Sequence, residues 1–402
     1  GSSIGTTTNQ EGQWSLELLA GSHVLVAKHL GFHSDTLRVE VASKSKDLNF
    51  YLVSDTIELS AISIRGRSKY QKISRLPAGQ LHILAEELSR IPSLMGERDP
   101  LNNLRSLPGI QSVGEGSGYF YVRGGNADQN LILLDEAVLY NPSHLLGLFS
   151  VVNPAVIESI MLYKGGIPAN YGNRLASVID INSKDGSFEK LSGEVSLGLI
   201  ASRINLAGPL VKDKLSFLIA LRRTQLDLIY PLLMPKSSPF HGSGYSFSDF
   251  NGKITWKINP KNTISLSGYR GRDQFALHDE EISLTDQMHW GNQTLALNGL
   301  FHISERMSLK SSLTNSGYTL GFEQNYRDYF IGINSGLSNI RAKEELSIQI
   351  TEKQLIKMGL ELNAYQFEPY QTTLLTGGEN LNFGDSLPYR ARDIAPFIHH
   401  EW

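Results

Sequence analysis

Residues 99–186 decide how this chain reads. They open on Asp99-Pro100-Leu101-Asn102-Asn103-Leu104, run through Gly118-Tyr119-Phe120-Tyr121-Val122-Arg123-Gly124-Gly125 and Leu131-Ile132-Leu133-Leu134-Asp135, and close on Val178-Ile179-Asp180-Ile181 before Gly186. Asp99-Pro100 and Asn153-Pro154 each place a side-chain oxygen ahead of a preset φ, so both predict helix starts. Tyr119–Val122, Leu131–Leu134, Ile157–Tyr163 and Val178–Ile181 are short β-type runs ending near glycine, which makes the stretch a compact mixed α+β domain.

Downstream, from about Leu191, the chain becomes strand after strand. Ile356, Met358, Leu360, Leu362 and Ala364 alternate with Leu355, Lys357, Gly359, Glu361 and Asn363, and Ile340, Ala342, Leu346 and Ile348 do the same, broken by Glu344. Such alternation gives one apolar and one polar face, as a membrane-spanning barrel requires. The turns at 212–214, 260–262, 304–306 and 352–353 are tight, whereas 231–246, 276–290 and 375–390 are predicted to be long loops. Trp256, Tyr269, Trp290, Phe301, Tyr318 and Trp402 are predicted to form interfacial girdles. About ten strands are expected, with the strand that opens at Leu215 running to Tyr230.

At this point the motifs carry a resemblance. Leu107-Pro108-Gly109-Ile110, Tyr121-Val122-Arg123-Gly124-Gly125, Leu133-Leu134-Asp135, Tyr140-Asn141-Pro142, Tyr163-Lys164-Gly165-Gly166-Ile167-Pro168-Ala169 and Tyr171-Gly172 together resemble the plug of a TonB-dependent outer-membrane receptor of Bacteroidetes type. The resemblance implies a mainly β chain with an N-terminal β-sandwich (1–54), a linker (55–75), a mixed α+β plug (76–187) and the first part of an antiparallel transmembrane β-barrel (188–402). A plugged transporter has about 22 strands, so the chain is expected to be a truncated receptor that begins inside its first domain.

Trp14, Leu16, Leu18, Val24, Val26, Leu37, Val39, Val41, Leu48, Phe50 and Leu52 alternate in short strands, as in a sandwich, and the pattern resembles a carboxypeptidase-regulatory-like domain. Ile57-Glu58-Leu59-Ser60-Ala61-Ile62-Ser63-Ile64 then offers an extended segment suited to strand addition, and its position is similar to that of the TonB box. Leu81, Leu84 and Leu88 predict a short helical face.

Within the plug, Arg123 beside Gly124-Gly125 is expected to be buried and paired with Asp128, Asp135 or Asp180, or with an acidic residue on the barrel wall. Lys164 and Arg174, around Gly165-Gly166 and Tyr171-Gly172, read as structural turns. Asn141-Pro142 is expected to start a short helix. Glu115, Ser117 and His144 are the candidates for facing a substrate. Gly114-Glu115-Gly116-Ser117-Gly118 is followed by a strand rather than a helix, which argues against a phosphate loop.

The 402 residues are 41% hydrophobic and 19% charged, too apolar for disorder, and a net charge of −3 gives no basis for nucleic-acid binding. Cysteine is absent, so neither disulfides nor thiolate chemistry are available. No paired carboxylates, nucleophile–base pair or metal-spaced histidines stand out, so no enzyme activity, metal or cofactor is expected. The resemblance implies a bacterial outer-membrane importer whose partners are a TonB-type periplasmic protein, membrane lipids and a scarce small solute: siderophore, cobalamin, peptide or glycan. The competing reading is a soluble or surface carbohydrate-binding or adhesion β-sandwich, in which the alternation would belong to two stacked sheets.

Overall fold

The computed structural model describes the chain except residues 1–3, 10, 30–31, 33, 43–46, 53–78, 89–97, 112–119, 377–378 and 385–386. The segment 57–64 read as a TonB box, and Glu115 and Ser117, therefore lie outside the described residues. Two compact units divide at Arg75. In the first, Gly21–Ala27 and Asp35–Val41 pair antiparallel, from Gly21 opposite Val41 to Ala27 opposite Asp35. Val39 is buried, and Trp14 meets Phe50 with ring centroids 5.7 Å apart. The runs at 14–18 and 48–52 pack as expected but are not strands in the structure, so among the described residues only one hairpin of the expected sandwich is formed.

The second unit holds a small mixed sheet and a large antiparallel one. The small sheet is ordered Gln80–Leu84, Ile157–Tyr163, Ser177–Ser183, Asn130–Leu134, Ala137–Val138; only the pair Asn130–Leu134 with Ser177–Ser183 is parallel. Its core gathers Leu101, Leu104, Val122, Ile132, Ile157, Ile160, Leu162, Ile179 and Ile181, all nearly free of solvent contact. At about 1.5–3 kcal/mol per fully buried apolar side chain, this core is ample to order the strands around it.

Several expectations are corrected here. Gln80–Leu84 is a strand, followed by the short helix Ala85–Leu88, because Leu81 and Ile83 dock on the core while the backbone pairs with Ile157–Tyr163. A nine-residue stretch is too short for helix propensity to compete with that pairing. Asp99 caps Pro100–Leu104 as expected, its Oδ1 accepting from Asn102 N at 2.9 Å. Asn153 also caps, accepting from Ala155 N, but only one 3-10 turn (Pro154–Val156) forms, since the strand begins at Ile157. After Asn141-Pro142 the chain does not turn helical: Ser143–His144 pairs with Phe149–Ser150 across the 3-10 turn Leu145–Gly147.

The large sheet runs in sequence order from Ser192–Leu197 to Gln354–Thr376, whose far edge takes both Glu379–Phe383 and Tyr389–Glu401, eleven strands in all. It is one continuous antiparallel sheet, not two stacked sheets, which disfavours the sandwich reading. The faces follow the alternation: Tyr245, Phe247, Asp249 and Asn251 are buried inside, whereas Phe250, Ile254 and Trp256 are exposed outside. Cross-strand pairing continues the apolar outer row through Ile254, Leu266, Leu297, Leu313, Ala342, Leu362 and Ile394. Glu344, the break in the pattern, lies on this outer face and accepts from Ser311 Oγ at 2.5 Å.

Strand ends depart from expectation. The strand Leu215–Thr224 stops early and the apolar helix Leu226–Leu233 follows it. Leu226 tucks against Tyr245 and Trp290, so burial, which strand alternation does not register, ends the strand. The expected loop 276–290 is mostly strand, with only 280–283 between Asn262–Asp279 and Leu284–Ser304; Met307–Tyr326 and Tyr329–Thr351 form an equally long hairpin. The segment 375–390 likewise contains the short strand Glu379–Phe383. Three girdle candidates are also corrected: Tyr269, Trp290 and Tyr318 point inward and pack against the small domain, while Trp256 faces out.

Candidate functional site

The interior boundary between the small domain and the sheet combines apolar contacts, such as Val156 with Leu218 and Ala220, with polar and charged clusters. His144 is its centre on one side. The strand fragment Ser143–His144 carries the imidazole between two wall strands, with Nδ1 2.7 Å from Asp273 Oδ2 and Nε2 2.9 Å from Asp249 Oδ1. The ring stacks on Phe247 at 4.2 Å and is fully buried. Arg222 Nε donates to Asp249 Oδ2 at 2.7 Å, and Arg222 Nη2 donates to the Ser150 carbonyl at 2.8 Å, so the guanidinium ties the large sheet to the small domain. Tyr269 and Tyr245 donate to Asp249 and Asp273 respectively, and Tyr245 Oη also accepts from Leu145 N at 2.6 Å. Burial pulls the His144 pKa down, but the flanking Asp249 and Asp273 carboxylates outweigh it and push it up to about 9. His144 is thus a doubly paired cation at neutral pH, not a group open to substrate.

A second cluster is built by a strained turn. Asp135 and Glu136 both adopt positive φ, 49° and 73°, in the two-residue connection between Asn130–Leu134 and Ala137–Val138. Such turns favour Asn-Gly or Gly, and each non-glycine there costs about 1 kcal/mol or more. The conformation aims the two carboxylates apart. Asp135 accepts from Ser183 N at 2.8 Å and Ser183 Oγ at 2.5 Å, closing the small sheet on itself. Glu136 enters the wall, where Lys310 donates to it, Arg341 Nη1 lies 3.2 Å from Oε2 and Lys343 Nζ lies at 4.0 Å. Burial raises the Glu136 pKa, yet those three cations overcome it and hold the carboxyl well below the usual range. Arg341 Nη2 continues to Glu361 at 2.8 Å, and Asn173 and Asn170 donate to Glu361 and Glu345. Beneath them Tyr171 Oη donates to Asp180 Oδ2 at 2.8 Å. Burial, reinforced by nearby Glu136, pushes Asp180 up to about 6.

The remaining sequence candidates are structural. Asn141 Oδ1 accepts from Ser143 N and Oγ, and its backbone exchanges hydrogen bonds with Asn292, which donates from Nδ2 to the Asn141 carbonyl at 2.7 Å. Pro142 is buried, with its carbonyl accepting from Val151 N. The expectation for Arg123 is overturned. It is exposed, at φ 50°, and no ion pair joins it to Asp128, Asp135 or Asp180 among the described residues. Instead its guanidinium lies over Gly165, where an added Cβ would sit 2.4 Å from Nη1. Gly124 (φ 81°) and Gly166 (φ 59°) supply left-handed backbone, and a Cβ on Gly125 would sit 2.4 Å from that of Ala176. Lys164 Nζ donates to the Pro108 carbonyl, Arg174 to that of Asn173, and Gly172 has open space around it.

Sequence reasoning missed Glu136, Arg222, Asp249, Asp273, Arg341 and Glu361. The available signal was the polar phase of the alternation: charged residues at inward positions of strands whose outward positions are apolar. Among the described residues no cluster of histidine, aspartate and glutamate could hold a metal, and no helix is long and apolar enough to cross a membrane, which says nothing of strands.

Residues 90–178 match the TonB-dependent receptor plug domain, and residues 1–64 match the CarboxypepD_reg-like domain. No curated protein matches in sequence. Among solved structures, the ferric preacinetobactin receptor BauA from Acinetobacter baumannii is similar at 9% identity and TM-score 0.50, over 78% of this chain and 51% of that one. The ferric yersiniabactin uptake receptor FyuA from Yersinia pestis aligns at 13% identity and TM-score 0.48, over 80% and 61%. The ferric-catecholate import receptor Fiu from E. coli K12 aligns at 12% and 0.49, over 78% and 66%. The chain thus spans about 61% of FyuA. It carries a match to the CarboxypepD_reg-like domain followed by a match to the TonB-dependent receptor plug domain within its small domain, and its fold is similar to that of BauA.

Proposed function

We propose that the protein is an outer-membrane importer in which the wall crosses the bilayer, the plug blocks the lumen, and a TonB-type periplasmic protein pulls the plug to admit a bound small solute. One observation carries this reading. The sheet has an apolar outer face and a largely polar inner face, and the plug sits against the inner one mainly through ion pairs and hydrogen bonds beside a few apolar contacts. An apolar interface would have to be exposed to water when the plug shifts. A polar one exchanges its partners for water at far lower net cost. Coupling then needs only that pull and solute favour different plug states.

The segment 57–64 is proposed as the strand the partner captures, on its extended pattern and its place ahead of the plug. Siderophore, cobalamin, peptide and glycan are the solute classes considered.

The test is fractionation and uptake with the full-length protein. Expected are a detergent-resistant envelope band whose gel mobility changes on heating, and protein-dependent growth under one nutrient limitation that is lost when 57–64 is deleted. A soluble protein without heat-modifiable mobility would overturn the membrane reading. Unimpaired growth after the deletion would remove the segment's role.

A further inference from the structure

Glu344 interrupts the apolar outer face in its middle, and nothing in the seating of the plug uses it. On Tyr329–Thr351 the outward positions run Ile340, Ala342, Glu344, Leu346, Ile348 and Ile350, so the carboxylate has two apolar residues on one side of it along the strand and three on the other. A strand rises about 3.3 Å per residue, which puts Glu344 about 13 Å from Ile340 and about 20 Å from Ile350 along its length. Lysine and arginine carry a charge out of such a belt on long stems, whereas the glutamate side chain is far too short to do so. The adjoining strands continue the belt around it, with Leu313 and Leu309 on Met307–Tyr326 and Leu362, Leu360 and Met358 on Gln354–Thr376.

The side chain is exposed, and its partner within the sheet is a hydroxyl. Glu344 lies opposite Ser311, whose Oγ donates to Oε2 at 2.5 Å, and among the described residues Oε1 has no donor. The cation next to it in the chain serves the other face: Lys343 and Glu345 point inward, with Lys343 Nζ 3.6 Å from Glu345 Oε2. A polar group facing lipid becomes more costly with depth, and an ionisable one at that depth is expected to face a partner. Two protein occupants can cover it. A second copy turned about a two-fold axis at this spot sets Ser311 and Glu344 against themselves, giving four carboxylate oxygens, two hydroxyl protons already committed, and two like charges. A different chain with arginine or lysine at that depth brings both the missing donor and the opposite charge. Charge complementarity selects the different chain.

Resting on the membrane reading above, we infer that Glu344 and Ser311 form a lateral docking site for a membrane-embedded partner protein that presents an arginine or lysine at the middle of the apolar belt. The surrounding leucines supply contact area that lipid tails match equally well, so the charged pair, and not the apolar face, decides which chain stays.

The experiment uses the full-length protein in its own envelope, with a photo-crosslinking amino acid at position 342, beside the site, or at position 206, an exposed outward position on Ala201–Val211. Expected is one protein adduct from position 342 and none from position 206, with the cross-linked peptide of the partner mapping beside an arginine or lysine in an apolar segment. Its yield should fall at least about tenfold when E344Q is added, and return when E344K is combined with a glutamate in place of the mapped cation. E344L, which suits lipid better than the parent side chain, should show the same loss and serves if E344Q lowers the heat-modifiable band. An adduct whose yield ignores both changes would overturn the inference, as would one mapping away from any cation, a self-adduct of twice the chain's mass, or lipid adducts alone. A protein absent from the envelope removes the membrane reading itself, whereas one that is present and gives no charge-dependent adduct removes only this inference.

Discussion

His144 and Asp273, 129 positions apart in the chain, meet with Nδ1 2.7 Å from Oδ2 inside a fully buried site that also holds Asp249 and Arg222. The relationship joins the plug to two adjacent wall strands through one imidazole. Charges removed from water this completely are held by their partners or not at all.

Removing the imidazole leaves Asp273 without its cation, while Asp249 keeps Arg222. His144→Ala is expected to lower the stability of the seated plug by about 3–5 kcal/mol, the range for breaking a buried ion pair. Limited proteolysis of the plug in detergent-solubilised protein checks this. Unchanged cleavage rates would mean that the network does not hold the plug.

The same site sets a pH dependence. The His144 pKa is about 9 in the folded protein against an ordinary 6.5. Its stabilisation is therefore complete below about pH 6.5 and disappears as pH rises through about 9, a loss of about 3 kcal/mol. Plug cleavage should accelerate across that window in the parent and stay flat there in His144→Gln.

Among the described residues, Glu136 is the plug acid that contacts Lys310 and Arg341. Glu136→Gln keeps the shape and removes the charge, leaving Lys310, Arg341 and Lys343 to repel one another around a neutral amide. A loss of about 3 kcal/mol or more is expected, read from chemical denaturation of the plug. Restoration by a second change, Lys310→Gln, would show that charge and not shape carries the effect.

Two glycines separate a flexible contact from a rigid one. A Cβ on Gly165 meets the guanidinium of exposed Arg123, which can move aside, so Gly165→Ala costs chiefly the strain of its φ of 154°, about 1–2 kcal/mol. A Cβ on Gly186 sits 2.0 Å from the carbonyl oxygen of Phe217, a wall backbone atom. Gly186→Ala should therefore be the more damaging, seen as a larger drop in the heat-modifiable band. Equal yields of the two variants would contradict that close approach.

Much of the architecture was legible beforehand because its causes are local. Period-two alternation assigned the faces of Tyr329–Thr351 and Gln354–Thr376, and Asp99-Pro100 marked a helix start. Where tertiary packing competed, local reading failed: Gln80–Leu84 became a strand on an open sheet edge, Leu226–Leu233 a helix over Tyr245 and Trp290, and Tyr269 an interior residue bonded to Asp249.

From the amino-acid order alone came the turn chemistry of the plug and the two unlike faces of the wall, since each depends on neighbours a few residues apart. Only the folded molecule decided that His144 lies between Asp249 and Asp273, that Glu136 meets Lys310 and Arg341, and that Arg123 stays outside. Those meetings join residues up to 205 positions apart. They depend on the register of successive strands and on where the plug stops against them, which no short-range pattern encodes.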